Sequence, residues 1–354
     1  MNGQGLLLNY SQSNHKRTKI LFVFLFFLLI LFFILDLFLG SVIISPHEVF
    51  RALFRDAGNV TETILMRFRI PKAVTALLAG VALSVSGLQM QTLFRNPMAG
   101  PYVLGLSSGA SFGVAVVILG FSSIASPENA GGLGNWAIAA ASWLGAGSVM
   151  LLIMMISARV KNIMTVLILG IMLSSAISAV VSIMQYFSSA TMLKSYVIWT
   201  MGSLGNVTSG QLKVMTASVA AGTILSLISV KMLNALLLGE DYALSIGLEV
   251  KTSRNIIIAG TSILAGTVTA FCGPIGFVGI AVPHLARLIF RTADHRVLIP
   301  ASILTGSLIM LGSDIASQLP GSDKVLPVNA VTALIGIPVV IWVILRNQRS
   351  GEIF

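Results

Sequence analysis

Apolar residues in this chain come in long unbroken runs, not in the alternation of a half-buried strand or the narrow stripe of a soluble amphipathic helix. No Asp, Glu, Lys or Arg interrupts residues 73–94, 96–127, 129–158, 162–193 or 255–283. Each run exceeds the ~20 residues with which a helix crosses a bilayer. Turn and charge signals divide the sequence into ten expected spans: 20–40, 73–93, 102–120, 136–157, 163–187, 212–233, 254–271, 275–290, 297–318 and 328–345. Ten is even, so both termini are expected on one side. A polar tail (1–19) precedes the membrane domain (20–346), and a short tail (347–354) follows it. The first span has a basic flank but is too long for a signal-peptide core and lacks an obvious cleavage site, so it is read as retained.

Between the spans, Ser45-Pro46-His47-Glu48 has the form of a helix start, and the short helix through Arg51 and Arg55 is too polar to cross. Residues 188–210 are expected to be an outer loop with a short helix, and 238–248 a short polar helix on the opposite side. Within span 2, Ala76, Gly80 and Ser84 form a small-residue row suited to close helix packing. Ala79-Gly80 with Gly87 is echoed by Ala265-Gly266 with Gly273, a weak sign of an inverted repeat.

Composition sharpens this picture. The 354 residues are 56% hydrophobic and 10% charged, where soluble chains carry about 25% charged residues. The net charge of +10 is read as the basic bias of inner loops and not as a nucleic-acid footprint. With the amino end inside, inner segments hold Lys16, Arg17, Lys19, Arg95, Arg159, Lys161, Lys251, Arg254, Arg291, Arg296, Arg346 and Arg349. The exception is Arg51, Arg55, Arg67, Arg69 and Lys72, five basic residues placed outside. The lone Cys272 supports neither a disulfide framework nor a metal cluster.

The candidate chemistry is sparse. Ser174, Ser175, Ser178 and Ser182 give span 5 a hydroxyl-rich face, suited either to helix packing or to a wet path. His284 and Arg287 follow Pro283 and are read as structural, satisfying backbone that the proline frees. Asp314 is expected to pair with an arginine or to face the cavity. Asp36 is read as an interfacial residue. No Walker A sequence occurs, so any ATP must be hydrolysed by another chain. An intramembrane enzyme would need a nucleophile or metal constellation that the sequence lacks. An ion- or proton-coupled secondary transporter would rest on Asp314 and His284, and is the alternative functional class.

Several motifs resemble those of the FecCD-type permeases, the membrane subunits of ABC importers for iron–siderophores, haem and vitamin B12. They are Arg69-Ile-Pro-Lys72; Gly87 with Gln89 and Gln91; Arg95-Asn96-Pro97-Met-Ala99 with Leu104-Gly105; Ser108-Gly-Ala110; Leu238-Gly239-Glu240 with Ala243 and Gly247; Gly273-Pro-Ile-Gly276-Phe-Val-Gly279; Val282-Pro283-His284-Leu-Ala-Arg287; Asp294-His-Arg296; and Asp314. The resemblance spans about residues 60–346, with Lys72 where the family often has Arg and Met98 where Leu is usual. It implies the type II ABC importer permease fold, an all-α polytopic membrane protein of ten helices. It implies a second permease copy, two cytoplasmic ATP-binding subunits that bind ATP and Mg, and a substrate-binding protein. It places the chain in a bacterial inner membrane, with no cofactor of its own and no metal site. Leu238, Gly239, Glu240, Asp241, Ala243 and Gly247 become the ATPase-coupling candidates. Arg69 and Lys72 become candidates for docking the binding protein, with Arg51, Arg55 and Arg67 as a looser extension. The span 5 serines become the translocation path. Asn96, Pro97, Gly105, Gly276, Gly279, Pro283, His284, Arg287 and Asp314 become the structural motif. Ferric siderophore is the favoured cargo, with haem and cobalamin open.

Overall fold

The structure, a computed structural model, describes the backbone of residues 3–40, 44–45, 47–49, 51, 60–120, 133–160, 162–319 and 324–350, and side chains from residue 16 onward except 133, 344 and 346–350. Among the described residues every regular element is helical. In chain order they are α1 (Gly3–Phe38), α2 (Val60–Leu93), α3 (Leu106–Gly120), α4 (Leu133–Arg159), α5 (Ile163–Tyr186), α6 (Ala190–Thr200), α7 (Ser209–Ile228), α8 (Val230–Leu237), α9 (Glu240–Ser245), α10 (Val250–Cys272), α11 (Val278–Phe290), α12 (His295–Ser317) and α13 (Val328–Ser350). Seven are long and apolar enough to cross a membrane, and α3, α11 and the Val328–Val343 part of α13 are shorter apolar stretches. Together they occupy the ten expected span positions.

Side chains in the linkers start the helices. Asn162 Oδ1 accepts from Met164 N–H ahead of α5, and Ser189 Oγ accepts from Met192 N–H ahead of α6. Thr208 and Gln211 close a capping box on α7, and Asp294 accepts from Arg296 N–H at the start of α12. Each satisfies an amide that the helix itself leaves open. Ser45 and Glu48 exchange the same reciprocal bonds, as their spacing predicts. Residues 47–49 and 51 are helical, while Arg55 lies outside the described residues.

The bundle is organised around α2 and α10, whose most apolar windows are 83% and 72% buried, against 17% for α1 and 22% for α5. They run antiparallel, and the Thr261 hydroxyl on α10 donates to Gln89 Oε1 on α2. Helix α12 packs on α2 as α4 packs on α10, and α11 touches α2 as α3 touches α10. That exchange of equivalent partners is the pattern an inverted repeat produces.

Small residues let these helices approach. A Cβ on Gly80 would lie 2.4 Å from the Gly306 carbonyl oxygen, and one on Gly87 would lie 1.7 Å from that of Gly279. Ser84 Oγ, one turn along the same row, donates to the Ser302 carbonyl at 2.8 Å. The Ala76-Gly80-Ser84 row is therefore a packing seam against α12. The Ala265-Gly266/Gly273 echo is different: a Cβ on Gly266 meets nothing within 4 Å, and Gly273 caps α10 at φ 76°. The sequence echo does not mark equivalent packing.

Two expectations are corrected. Helix α1 begins at Gly3, so the polar tail continues the first span as helix. Span 6 does not run to residue 233; it breaks at Ser229, whose hydroxyl bonds back to the Leu225 carbonyl, and α8 follows as a separate helix.

Candidate functional site

At one end of the bundle lies α9. Gly239 precedes it at φ 109°, a conformation that only glycine adopts without strain. The Glu240 carboxylate turns inward and pairs with Arg254, which is almost fully buried at the start of α10 and also reaches the Val160 carbonyl. Ala243 is buried beneath the helix. The outer surface of this loop carries Leu238, Tyr242, Leu244 and Ile246, between 46% and 64% exposed, beside exposed Asp241 and Gly247. Of the six coupling candidates, Leu238, Asp241 and Gly247 are open to a partner, while Gly239, Glu240 and Ala243 build the platform. Tyr242, Leu244 and Ile246 share that exposed surface, though sequence reasoning did not single them out. Their signal was large apolar residues inside a segment too short and polar to cross.

Behind α9 sits a polar network. Asn234 on α8 donates from Nδ2 to Asp294 Oδ1 at 2.7 Å and accepts the His295 amide at 2.9 Å. His295 Nδ1 lies 2.7 Å from the same Asn234 oxygen, and Nε2 lies 2.8 Å from Thr92 Oγ1 at the end of α2. Burial opposes ionisation of Asp294, but hydrogen bonds from the Arg296 amide and Asn234 hold its carboxyl below the usual carboxylate range. Arg287 Nη1 donates to Gln91 Oε1 at 2.6 Å, and Gln91 Nε2 donates to the Ile280 carbonyl. His284 Nε2 lies 2.8 Å from the Pro97 carbonyl oxygen, and Asn96 Oδ1 accepts from Met98 N–H in the turn before it. His284 and Arg287 thus join α11 to the end of α2 and its turn. They do not serve the carbonyl that Pro283 frees, which belongs to Gly279 and is packed against Gly87.

At the opposite end, Lys72 Nζ pairs with Asp314 Oδ1 at 2.9 Å, and Asp314 is 1% exposed. The partner of Asp314 is this lysine and not an arginine. Gln318 Nε2 donates to Asp314 Oδ2 at 3.0 Å and to Asp36 Oδ1 at 3.2 Å. Asp36, expected at the interface, is instead buried with them. Arg69 Nη1 donates to the Leu37 carbonyl at 2.5 Å. Arg67 is exposed on the π-helical turn Leu65–Arg69. Arg69, Lys72, Asp314, Asn206 and Gln318 line a cleft of about 580 Å³ that opens at this end.

Helix α5 forms one outer face of the bundle. Ser178 and Ser182 line a polar recess of about 310 Å³ with Ser107, Ser108, Ser111 and Gln185. Ser174 is turned toward Gly105, which sits at φ 82° before α3, and Ser175 is exposed. Both also donate to carbonyls of their own helix. The structure therefore divides the four serines. Gly276 donates its amide to Asn329 Oδ1 at 2.9 Å, tying the segment before α11 to α13. Gly279 is pressed against Pro101 and α2, where no side chain fits.

Known proteins resemble this chain in sequence and in fold. The profile of the FecCD transport family matches residues 28–346. The vitamin B12 import system permease protein BtuC of Escherichia coli O9:H4 is 35% identical over 323 residues, covering 91% of this chain and 94% of its own. That of Klebsiella pneumoniae is 33% identical over 346 residues, covering 98% and 99%. A solved structure described as a metal-chelate type ABC transporter in an inward-facing conformation superposes with a TM-score of 0.79 at 27% identity, over 93% of this chain and 99% of that one. PsaBC from Streptococcus pneumoniae superposes at 0.51 with 16% identity over 80% of this chain and 93% of that one, a likeness of fold alone.

Proposed function

Since the chain belongs to the FecCD transport family, we propose that it is the membrane-spanning permease subunit of an ATP-driven importer for a metal chelate. The observation that carries the reading is the patch of Leu238, Tyr242, Leu244 and Ile246 on and around α9. Large apolar side chains are exposed there at a bundle end, on a short helix braced by the Glu240–Arg254 pair. Such a patch marks a protein or membrane contact, and its place on a short polar helix at a bundle end supports a protein partner. The partner is a cytoplasmic ATPase subunit, one of two, which holds ATP and Mg while this chain carries no cofactor. The α9 end faces the cytoplasm together with both termini, in a bacterial inner membrane. The basic residues of the inner segments support that orientation.

The opposite face receives the substrate-binding protein. Exposed Arg67 offers a cation there, while Arg69 and Lys72 line the cleft and are already engaged with Leu37 and Asp314. A second permease copy covers α5, and the recess around Ser178 and Ser182 lies on the path between the two copies. The path moves cargo by a difference in affinity between states, without bond chemistry. Ferric siderophore is the proposed cargo. Cobalamin, itself a metal chelate, is its competitor, since the similar permeases are named for vitamin B12 import. A proton-coupled mechanism would need Asp314 or His284 free, and their bonds to Lys72 and to the Pro97 carbonyl weigh against it.

The test is purification of the chain from its native membrane in mild detergent, identification of co-purifying proteins by mass, and reconstitution. The expected result is an ATPase bearing a Walker A sequence, and ATP-dependent uptake of radiolabelled ferric siderophore in preference to cobalamin. A folded chain with no ATPase partner, even after crosslinking, overturns the reading.

A further inference from the structure

The side chains behind α9 form a continuous connection whose members come from three helices that are not neighbours in sequence. Asn234 lies on α8, six positions before α9 begins at Glu240. Its amide oxygen faces the His295 backbone N–H, a donor that cannot change role, so the amide nitrogen faces Asp294. This fixes the histidine as well. Nδ1, 2.7 Å from the same oxygen, must carry a hydrogen, and in the neutral ring Nε2 is left as an acceptor. The Thr92 hydroxyl then turns its hydrogen to Nε2 and away from the Leu88 carbonyl, which lies 3.0 Å off. His295 is fully buried, so losing one of these partners would leave a costly unpaired polar atom.

We propose that Asn234 is the positioning residue through which movement of α9 reaches the core, by holding the start of α12 and, through His295, the end of α2. Resting on the importer reading above, the inference concerns how the known elements are joined. Helices α2 and α12 form the most extensive helix pair of the bundle, along the Ala76-Gly80-Ser84 seam. A shift of α8 with α9 therefore acts on a rigid pair by its two inner ends at once. Thr92 also adjoins Gln91, which holds Arg287 of α11, so the third inner helix end is carried along. Arg254 braces the other side of α9 through Glu240. Asn234 differs from that brace in bonding the start of α12 directly and reaching the end of α2 through His295. The Asn234–His295–Thr92 stretch is itself uncharged, so its bonds specify one arrangement without adding the desolvation cost of a buried charge.

The test uses the complete reconstituted complex, the permease with its co-purifying ATPase and binding protein, and reads ATP hydrolysed per labelled ferric siderophore imported. Asn234→Ala is expected to assemble and hydrolyse ATP yet raise that ratio roughly tenfold, within the usual span of coupling between sites. Thr92→Val, which removes only the hydroxyl at the far end of the connection, is expected to raise it in the same direction. Thr92→Ser, which restores the hydroxyl, is expected to return it to the wild-type ratio. Should Asn234→Ala fail to assemble, the two threonine variants decide the matter. Equal loss of hydrolysis and transport in Thr92→Val, or an unchanged ratio, overturns the inference while wild-type uptake leaves the importer reading standing. Absence of ATP-driven uptake by the wild type overturns both.

Discussion

Single residues in this protein matter most where two backbones touch. Gly87 and Gly279 allow α2 and α11 to meet at a distance that admits no Cβ, and the atom in the way is a backbone carbonyl that cannot swing aside. Gly87→Ala is expected to cost at least ~1–3 kcal/mol, the usual range for overpacking. Gly266→Ala, on an equally buried helix but with open space around it, should be tolerated. Thermal unfolding of the two variants in detergent tests the contrast; equal midpoints would refute it. Sequence reasoning found the Gly80 row from its four-residue spacing, because small residues at helical period have one common use in membrane helices. It identified Asp314 but not its partner. Lys72 lies 242 positions away in the chain, and only the antiparallel packing of α2 and α12 brings the two within 2.9 Å.

At the scale of elements, α9 was visible in the sequence as a polar interruption between long apolar runs. Its face was not. Six residues make fewer than two turns, too few for a period to declare which side is buried. Packing decides it: Ala243 and Glu240 face the bundle, and Leu244 and Ile246 face outward. Leu244→Arg is expected to weaken ATPase capture by about 2 kcal/mol, or roughly 30-fold, the loss typical of a central interface residue. Because Leu244 is 58% exposed, the variant chain should keep its own melting temperature. Quantitative pull-down beside a melt separates the two effects, and unchanged capture would remove Leu244 from the interface. The break at Ser229 was hidden for a related reason: no proline or glycine marks it, and the apolar pattern continues through it.

For the whole molecule, the unequal burial of the helices is the main clue to assembly. α2, α10 and α12 form a closed centre, while α5 leaves Met172, Val180 and Ile183 uncovered on one side and the serine recess on another. Lipid can cover the first surface, but a recess lined by hydroxyls and Gln185 needs a wet or protein neighbour. Single cysteines introduced at Val180, Ile183 and Gln185 in a Cys272→Ser background are expected to yield a disulfide-linked permease pair in membranes for at least one position. No crosslink at any of the three, by non-reducing electrophoresis, would place the second copy elsewhere.

The sequence by itself determined that this chain is an all-helical membrane protein, where its long apolar helices lie, and which family it joins. Those properties follow from local composition, capping residues and short motifs, which act over a few turns of chain. Only the tertiary structure decided the partners: Asp314 with Lys72, His284 with the Pro97 carbonyl, His295 with Asn234 and Thr92, and the outward side of α9. In an apolar medium almost any helix face can be buried without penalty, so hydrophobicity does not select a mate. The selection is made by close approach at small residues and by the need of each buried polar group for one specific donor or acceptor.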